Sequence, residues 1–203
     1  MSEGFNQIPN EEEIVHQKIS VIEKIPTGVA PRGEVILVLL GEKPAVEMYI
    51  TNKDNASKAV EDLRNIGLFA EISEKPREYH NPDSADILVA NSQEILDELK
   101  QTNSYEHHER YGELMGYPKT AVDAFIGKDG AERLSTEEQK KLLDIMPDIL
   151  GGTFAFSKEH ANEELAVIKR KIKLLAQKAP ELFYDLYKKE HADKILSYVL
   201  DYY

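Results

Sequence analysis

Apolar positions along this chain change their spacing several times, and each change predicts an element. Asn10 with Glu13 three residues later has the form of a helix N-cap with a reciprocal carboxylate, and Val15, Ile19 and Ile22 follow at helical spacing. This short amphipathic helix follows a loose lead-in, Met1 to Pro9, and stops before Pro26. Pro26 to Gly33 holds two prolines and two glycines and reads as a connecting loop. Val35 to Leu40 is a run of six apolar residues, the pattern of a strand buried on both faces. After a turn at Gly41 to Pro44, Val46, Met48 and Ile50 alternate with Glu47, Tyr49 and Thr51, and the two segments are expected to form a hairpin. Ala56, Ala59, Val60 and Leu63 give a helical stripe closed by Gly67. Alternation resumes at Leu68, Ala70 and Ile72, and Ile87 to Ala90 is a further apolar run.

From residue 92 onward the pattern predicts helices only. Asn91 or Ser92 caps a helix over Gln93 to Lys100, with Glu94 as box partner to Asn91. Ser135 with Glu138 forms the clearest capping box, opening a helix through Leu142, Leu143 and Met146 to Pro147. Ser157 starts the longest helix, with Ala161, Leu165, Ile168, Ile172 and Leu175 on one stripe and His160 at its third position. Pro180 opens the last helix, which turns Leu182, Phe183, Leu186, Tyr187, Ile195, Val199 and Leu200 inward. The order of elements implies an α+β fold. A small mixed β-sheet with helices against one face fills the N-terminal half, and the C-terminal half is all helical. The expected divisions are an N-terminal helix and linker over 1–33, a sheet region over 34–103 and a helical region over 104–203, in one continuous unit of 203 residues.

Composition narrows the function classes. A formal net charge of −12 sets the long-range field against nucleic acid and anionic membrane. The absence of cysteine removes disulfides, thiolate nucleophiles, iron–sulfur clusters and cysteine-held zinc. No apolar run approaches the length that spans a bilayer, and the N-terminus lacks a basic segment leading into an apolar one, so a soluble cytoplasmic protein is expected.

Tyr105 to Phe125 concentrates tyrosine, histidine, glycine and proline. On its first helix His108, Tyr111, Gly112, Leu114 and Met115 share one side, Glu106, Glu109, Arg110 and Glu113 the other, and Glu106 can pair with Arg110. Gly112 inside a helix costs about 1 kcal/mol relative to alanine, which implies close approach of another backbone or a ligand. Gly116 suits a left-handed helix end, Tyr117 is held extended by the following proline, and Pro118 suits the first position of a second helix. The result is a rigid corner. It either plugs the core with Tyr117 or offers a ligand Gly112, Tyr117 and the helix-start amides of Lys119 and Thr120.

The Met-Gly-Tyr-Pro step followed by Ala-Val-Asp-Ala-Phe, behind a helix containing His-His-Glu, resembles the uncharacterised prokaryotic family called domain of unknown function 483. The likeness covers chiefly Val89 to Ile126 and implies a boundary and a shared corner, with no established activity attached. Members of that family often carry cysteines just after the proline. Lys119, Thr120 and Ala121 stand there in this chain, which removes any thiol or metal role at that step.

His107 and His108 point about 100° apart on a helix and have Tyr111 and Gly112, not ligands, four residues on, so no metal pair and no cofactor is expected. His16, His80, His160 and His191 are scattered. The dense basic patch Lys169, Arg170, Lys171 and Lys173 lies towards the end of the longest helix, with Glu159, Glu163 and Glu164 at its start, as the helix dipole favours. A nucleic-acid role for that patch is the least favoured reading. Tyr184, Tyr187, Tyr198, Tyr202 and Tyr203 could form a homo-oligomer surface or simply close the last helix onto the core. Two functions follow. One is a non-catalytic binding or protein-interaction module. The alternative is a small-molecule enzyme or ligand-binding protein, with His107, His108, Glu109, Tyr111 and Tyr117 as acid, base and orienting groups beside the corner.

Overall fold

A computed structural model describes residues 10–74, 83–102, 106–143 and 155–200. The elements in order are α1 (Glu11–Glu23), α2 (Val29–Leu39), β1 (Ala45–Ile50), α3 (Lys53–Asn65), β2 (Phe69–Ile72), β3 (Ala85–Ala90), α4 (Gln93–Gln101), α5 (His108–Leu114), α6 (Lys119–Ile126), a short 3-10 turn (Lys128–Gly130), α7 (Thr136–Leu143), α8 (Ala161–Lys178) and α9 (Pro180–Leu200). The fold is α+β, with its sheet in the N-terminal half. The expected lead-in, His80, Tyr105, the Met146–Pro147 helix end, Gly151, Gly152, Tyr202 and Tyr203 lie outside the described residues, as do the side chains of His191, Tyr198, Val199 and Leu200.

Three strands run in the order β1-β3-β2, and both pairings are antiparallel, with Met48 opposite Ile87 and Ala70 opposite Val89. β3 is central. Each of its six residues is buried, since helices cover both faces of the sheet and not the single face expected. Val46, Met48, Ile50, Ile87 and Val89 pack with Ile19 and Ile22 of α1, Val35 to Val38 of α2, and Ala56, Ala59 and Leu63 of α3. Ala45, Leu88 and Ala90, on the opposite face, pack with Leu96 and Leu99 of α4 and Leu114 of α5.

The largest correction falls on Val35 to Leu40. That run is helix, not strand, and the expected hairpin does not form, because β1 pairs with β3. The apolar run is ambiguous by itself: α2 buries Gly33 through Val38 consecutively, so it shows neither period. Proline misled as well. Pro31 occupies the third position of α2, within the first turn where its missing N–H leaves no helical bond unmade. The supposed linker to Gly33 therefore shrinks to the few residues before Val29.

The helical half joins the sheet through α2. Leu175 of α8, Leu182 and Leu186 of α9 stand against Gly33, where an added Cβ would lie 3.6 Å from a methyl of each. Leu175, Ala179 and Leu182 belong to the same apolar cluster as Met48 and Ile87. A second cluster, Phe156, Leu165, Ile172, Phe183, Tyr187, Ala192 and Ile195, closes α8 against α9. Among the described residues of this half, Arg133 and Ser157 form an antiparallel bridge, flanked by Leu134 N–H to Phe156 carbonyl and Lys158 N–H to Glu132 carbonyl, each 2.8 Å.

Capping confirms much of the element placement and shifts some of it. Asn10 and Glu13 exchange both bonds of a capping box at 2.9 Å, and Ser135 with Glu138 does the same at α7. Ser92, not Asn91, caps α4, accepting from Ile95 N–H at 3.3 Å. α8 begins later than expected, at Ala161, with His160 at its N-cap and Ser157 one turn before it. No helix among the described residues is long and apolar enough to cross a membrane.

Candidate functional site

The corner between α5 and α6 follows from three residues. At the end of α5, Gly116 N–H donates to Glu113 carbonyl at 2.9 Å and Tyr117 N–H to Gly112 carbonyl at 3.0 Å, the paired bonds of a Schellman end. Gly116 has φ +70°, where a side chain is strained, and a Cβ there would stand 3.0 Å from Pro44 Cδ and 3.4 Å from Lys43 Cα. The corner thus rests on the α2–β1 turn. Pro118 takes the N-cap position of α6, one residue earlier than expected, and extends the chain with ψ 137°.

Tyr117 turns into the sheet's second core, beside Ala45, Leu88, Leu96 and Leu114, with Lys43 Nζ 6.0 Å from its ring centroid. Burial, with the carboxylates of Glu34 and Glu47, pushes its phenol above the ordinary tyrosine range. Tyr111 packs against the same cluster. Gly112 allows α5 to cross α6: a Cβ would sit 2.7 Å from Val122 Cγ2. The close approach inferred from this glycine is therefore a side chain of the next helix.

Lys119 and Thr120 separate. Lys119 Nζ reaches solvent and pairs with Asp123 at 2.9 Å and Glu109 at 3.7 Å. Glu109 is held also by Lys128 at 2.6 Å, whose hydrogen bond and charge keep its carboxyl below the usual range. Thr120 Oγ1 donates to Glu164 Oε1 at 2.5 Å, while Ser157 N–H donates to Glu164 Oε2 at 2.8 Å. Glu164 is 1% exposed, so a carboxylate of α8 stands buried at the start of α6 and takes the Thr120 hydroxyl. Replacing Thr120 by valine is expected to lower stability by about 1–2 kcal/mol, measured by urea unfolding, because a buried carboxylate loses one of its donors.

The histidines stand apart from this machinery. His107 is the exposed N-cap of α5, and His108, expected on the inner side, is exposed and meets the edge of Phe125 with ring centroids 5.4 Å apart. α5 begins only at His108, and Arg110 pairs with Glu98 at 2.5 Å and Glu113 at 2.7 Å in place of the expected Glu106. Of the proposed acid–base set, the structure therefore joins Tyr111 to Tyr117 in one core, leaves His107 and His108 on the surface, and ties Glu109 into surface ion pairs. Among the described residues no group of three histidine or carboxylate side chains is placed to hold a metal ion.

Three charged side chains that the sequence did not single out for the corner lie behind it. Glu34 of α2 forms a buried ion pair with Lys43 of the α2–β1 turn. Lys171 of α8, placed by sequence in a basic patch, is buried and donates through Nζ to Gly116 carbonyl at 3.2 Å. Burial first, and then the Lys43 charge, lowers its ammonium to about 8. Arg170 pairs with Glu42 at 2.6 Å, so the expected basic face is divided between a buried lysine and a surface ion pair. Glu34 could have been found: a glutamate flanked by Gly33 and six apolar residues is a buried charge once the segment is read as helix.

Comparison with family models, with curated proteins and with solved structures finds no match.

Proposed function

We propose that this chain is a non-catalytic binding or protein-interaction module of the cytoplasm. The observation that carries the reading is how the corner spends its polar groups. Thr120 and Ser157 serve Glu164, Lys171 serves Gly116, and Glu34 serves Lys43. The histidines that would supply proton transfer are exposed, whereas Tyr117 packs against the core. Beside His108, Phe125 is 49% exposed and Ile126 37% exposed, an aromatic and an aliphatic anchor within a rim of Glu109, Lys119, Asp123 and Lys128. That composition suits a protein partner with an apolar anchor of its own. The likeness of the Gly-Tyr-Pro step to domain of unknown function 483 is proposed as membership through a shared corner, which adds geometry and no activity.

A second reading, a small-molecule site beside the corner, draws on the raised phenol of Tyr117 and the lowered ammonium of Lys171. The two readings part experimentally. In chemical cross-linking followed by mass spectrometry, the Phe125→Ser, Ile126→Ser double variant is expected to keep the wild-type melting temperature and lose cross-links from Lys119 and Lys128 to a partner. A hydrolase or lyase turnover abolished by His108→Ala would overturn the non-catalytic reading.

A further inference from the structure

Three charged side chains meet where α8 crosses the Gly116 corner: Glu34 is 5% exposed, Lys43 6% and Lys171 6%. Two are cations and one is an anion. Glu34 is taken by Lys43, which leaves Lys171 with a neutral carbonyl, that of Gly116, as its hydrogen-bond acceptor. The other charges facing Lys171 do not restore the balance. Glu42 in the turn is matched by Arg170 on α8 itself, and the Glu34 charge is shared with Lys43. A buried cation without its own counter-ion is destabilising, whereas a neutral amine in the same place can still donate to a carbonyl.

We propose that this junction is a pH-sensitive device in which loss of the Lys171 proton tightens the docking of α8 on the corner. The neutral amine keeps its bond to Gly116 carbonyl, escapes the cost of a buried charge and sheds the repulsion from Lys43 and Arg170. The sign follows from linkage. In the unfolded chain the lysine titrates near its ordinary 10.5, and in the fold near 8, so between these values the unfolded state binds more protons and stability rises with pH. The raised phenols of Tyr117 and Tyr187 act in the opposite sense only above about pH 10, where unfolded tyrosine ionises.

The experiment is urea unfolding of the wild type and of Lys171→Met and Lys43→Met at intervals from pH 7 to 9.5. Relative to Lys171→Met, the wild-type folding equilibrium constant is expected to climb by up to about tenfold per pH unit above pH 8, the limit for one proton. Lys43→Met removes the Lys43 repulsion and frees the Glu34 charge to act on Lys171, while Lys171 stays buried, and is expected to lessen the climb. Hydrogen exchange of α8 amides in the wild type, corrected for intrinsic rates, is expected to slow over the same interval. A wild-type constant that keeps a fixed ratio to that of Lys171→Met across the interval overturns the proposal. So does a climb in Lys43→Met that is undiminished from that of the wild type.

Discussion

Glu34→Gln is expected to lower stability by about 3–5 kcal/mol at pH 7, the cost of breaking a buried ion pair by removing one partner. Glu34 pairs with Lys43 and its charge also favours the ammonium of Lys171, and both lysines are as buried as it is. Its loss would leave two buried, mutually repelling cations without that carboxylate. The neutral amide retains the shape of the side chain, so packing contributes little to the expected loss. Replacing the pair together, as Glu34→Met with Lys43→Met, is expected to recover most of the stability, because an ion pair of this kind exchanges for apolar groups at little net cost. Urea midpoints of the single and double variants measure both effects. A loss below about 1 kcal/mol in Glu34→Gln, the range of an exposed pair, would show that water reaches the carboxylate.

Gly112→Ala has the second largest expected effect, and its sign separates two principles. Helix propensity alone favours alanine by about 1 kcal/mol. Packing opposes it: the new methyl would lie 2.7 Å from Val122 Cγ2 and 3.3 Å from Cγ1, and valine in a helix has essentially one rotamer with which to respond. We expect overpacking to win, with a net loss of about 2–3 kcal/mol in thermal or urea unfolding. Val122→Ala introduced beside it removes both methyls and is expected to restore much of the loss. A more stable Gly112→Ala would mean that α5 and α6 separate easily, and the corner would not be rigid.

Legibility in the sequence followed the strength of local chemistry. The capping boxes at Asn10 and Ser135, and the Gly116-Tyr117-Pro118 corner, rest on bonds within a few residues and were readable. α2 was not, because a helix buried all round has no polar face to give it a period and its proline fell in the permissive first turn. The candidate site divided in the same way. Gly112 announced a close contact, and Val122 made it. His108 was placed inward by helical spacing, yet α5 has only 7 residues and starts at that histidine, so the spacing had no preceding turn to act on. Glu34, Lys43, Lys171 and Glu164 act through partners from 7 to 55 positions away, such as Lys171 with Gly116 and Glu164 with Thr120. Only the fold brings such pairs together. Lys171 and Glu164 fit the dipole pattern of a surface helix, but the buried stripe of Leu165, Ile172 and Leu175 is wider by one position and takes both in.

The corner as a joint filled by the protein's own groups is tested most directly by a double-mutant cycle between Thr120→Val and Glu164→Met. The buried carboxylate and the half-buried hydroxyl are 2.5 Å apart between α6 and α8, so a coupling energy of about 1–2 kcal/mol is expected, with each single variant destabilised. Additive single effects, with coupling within about 0.3 kcal/mol of zero, would contradict the account and return the start of α6 to the status of an open anion site.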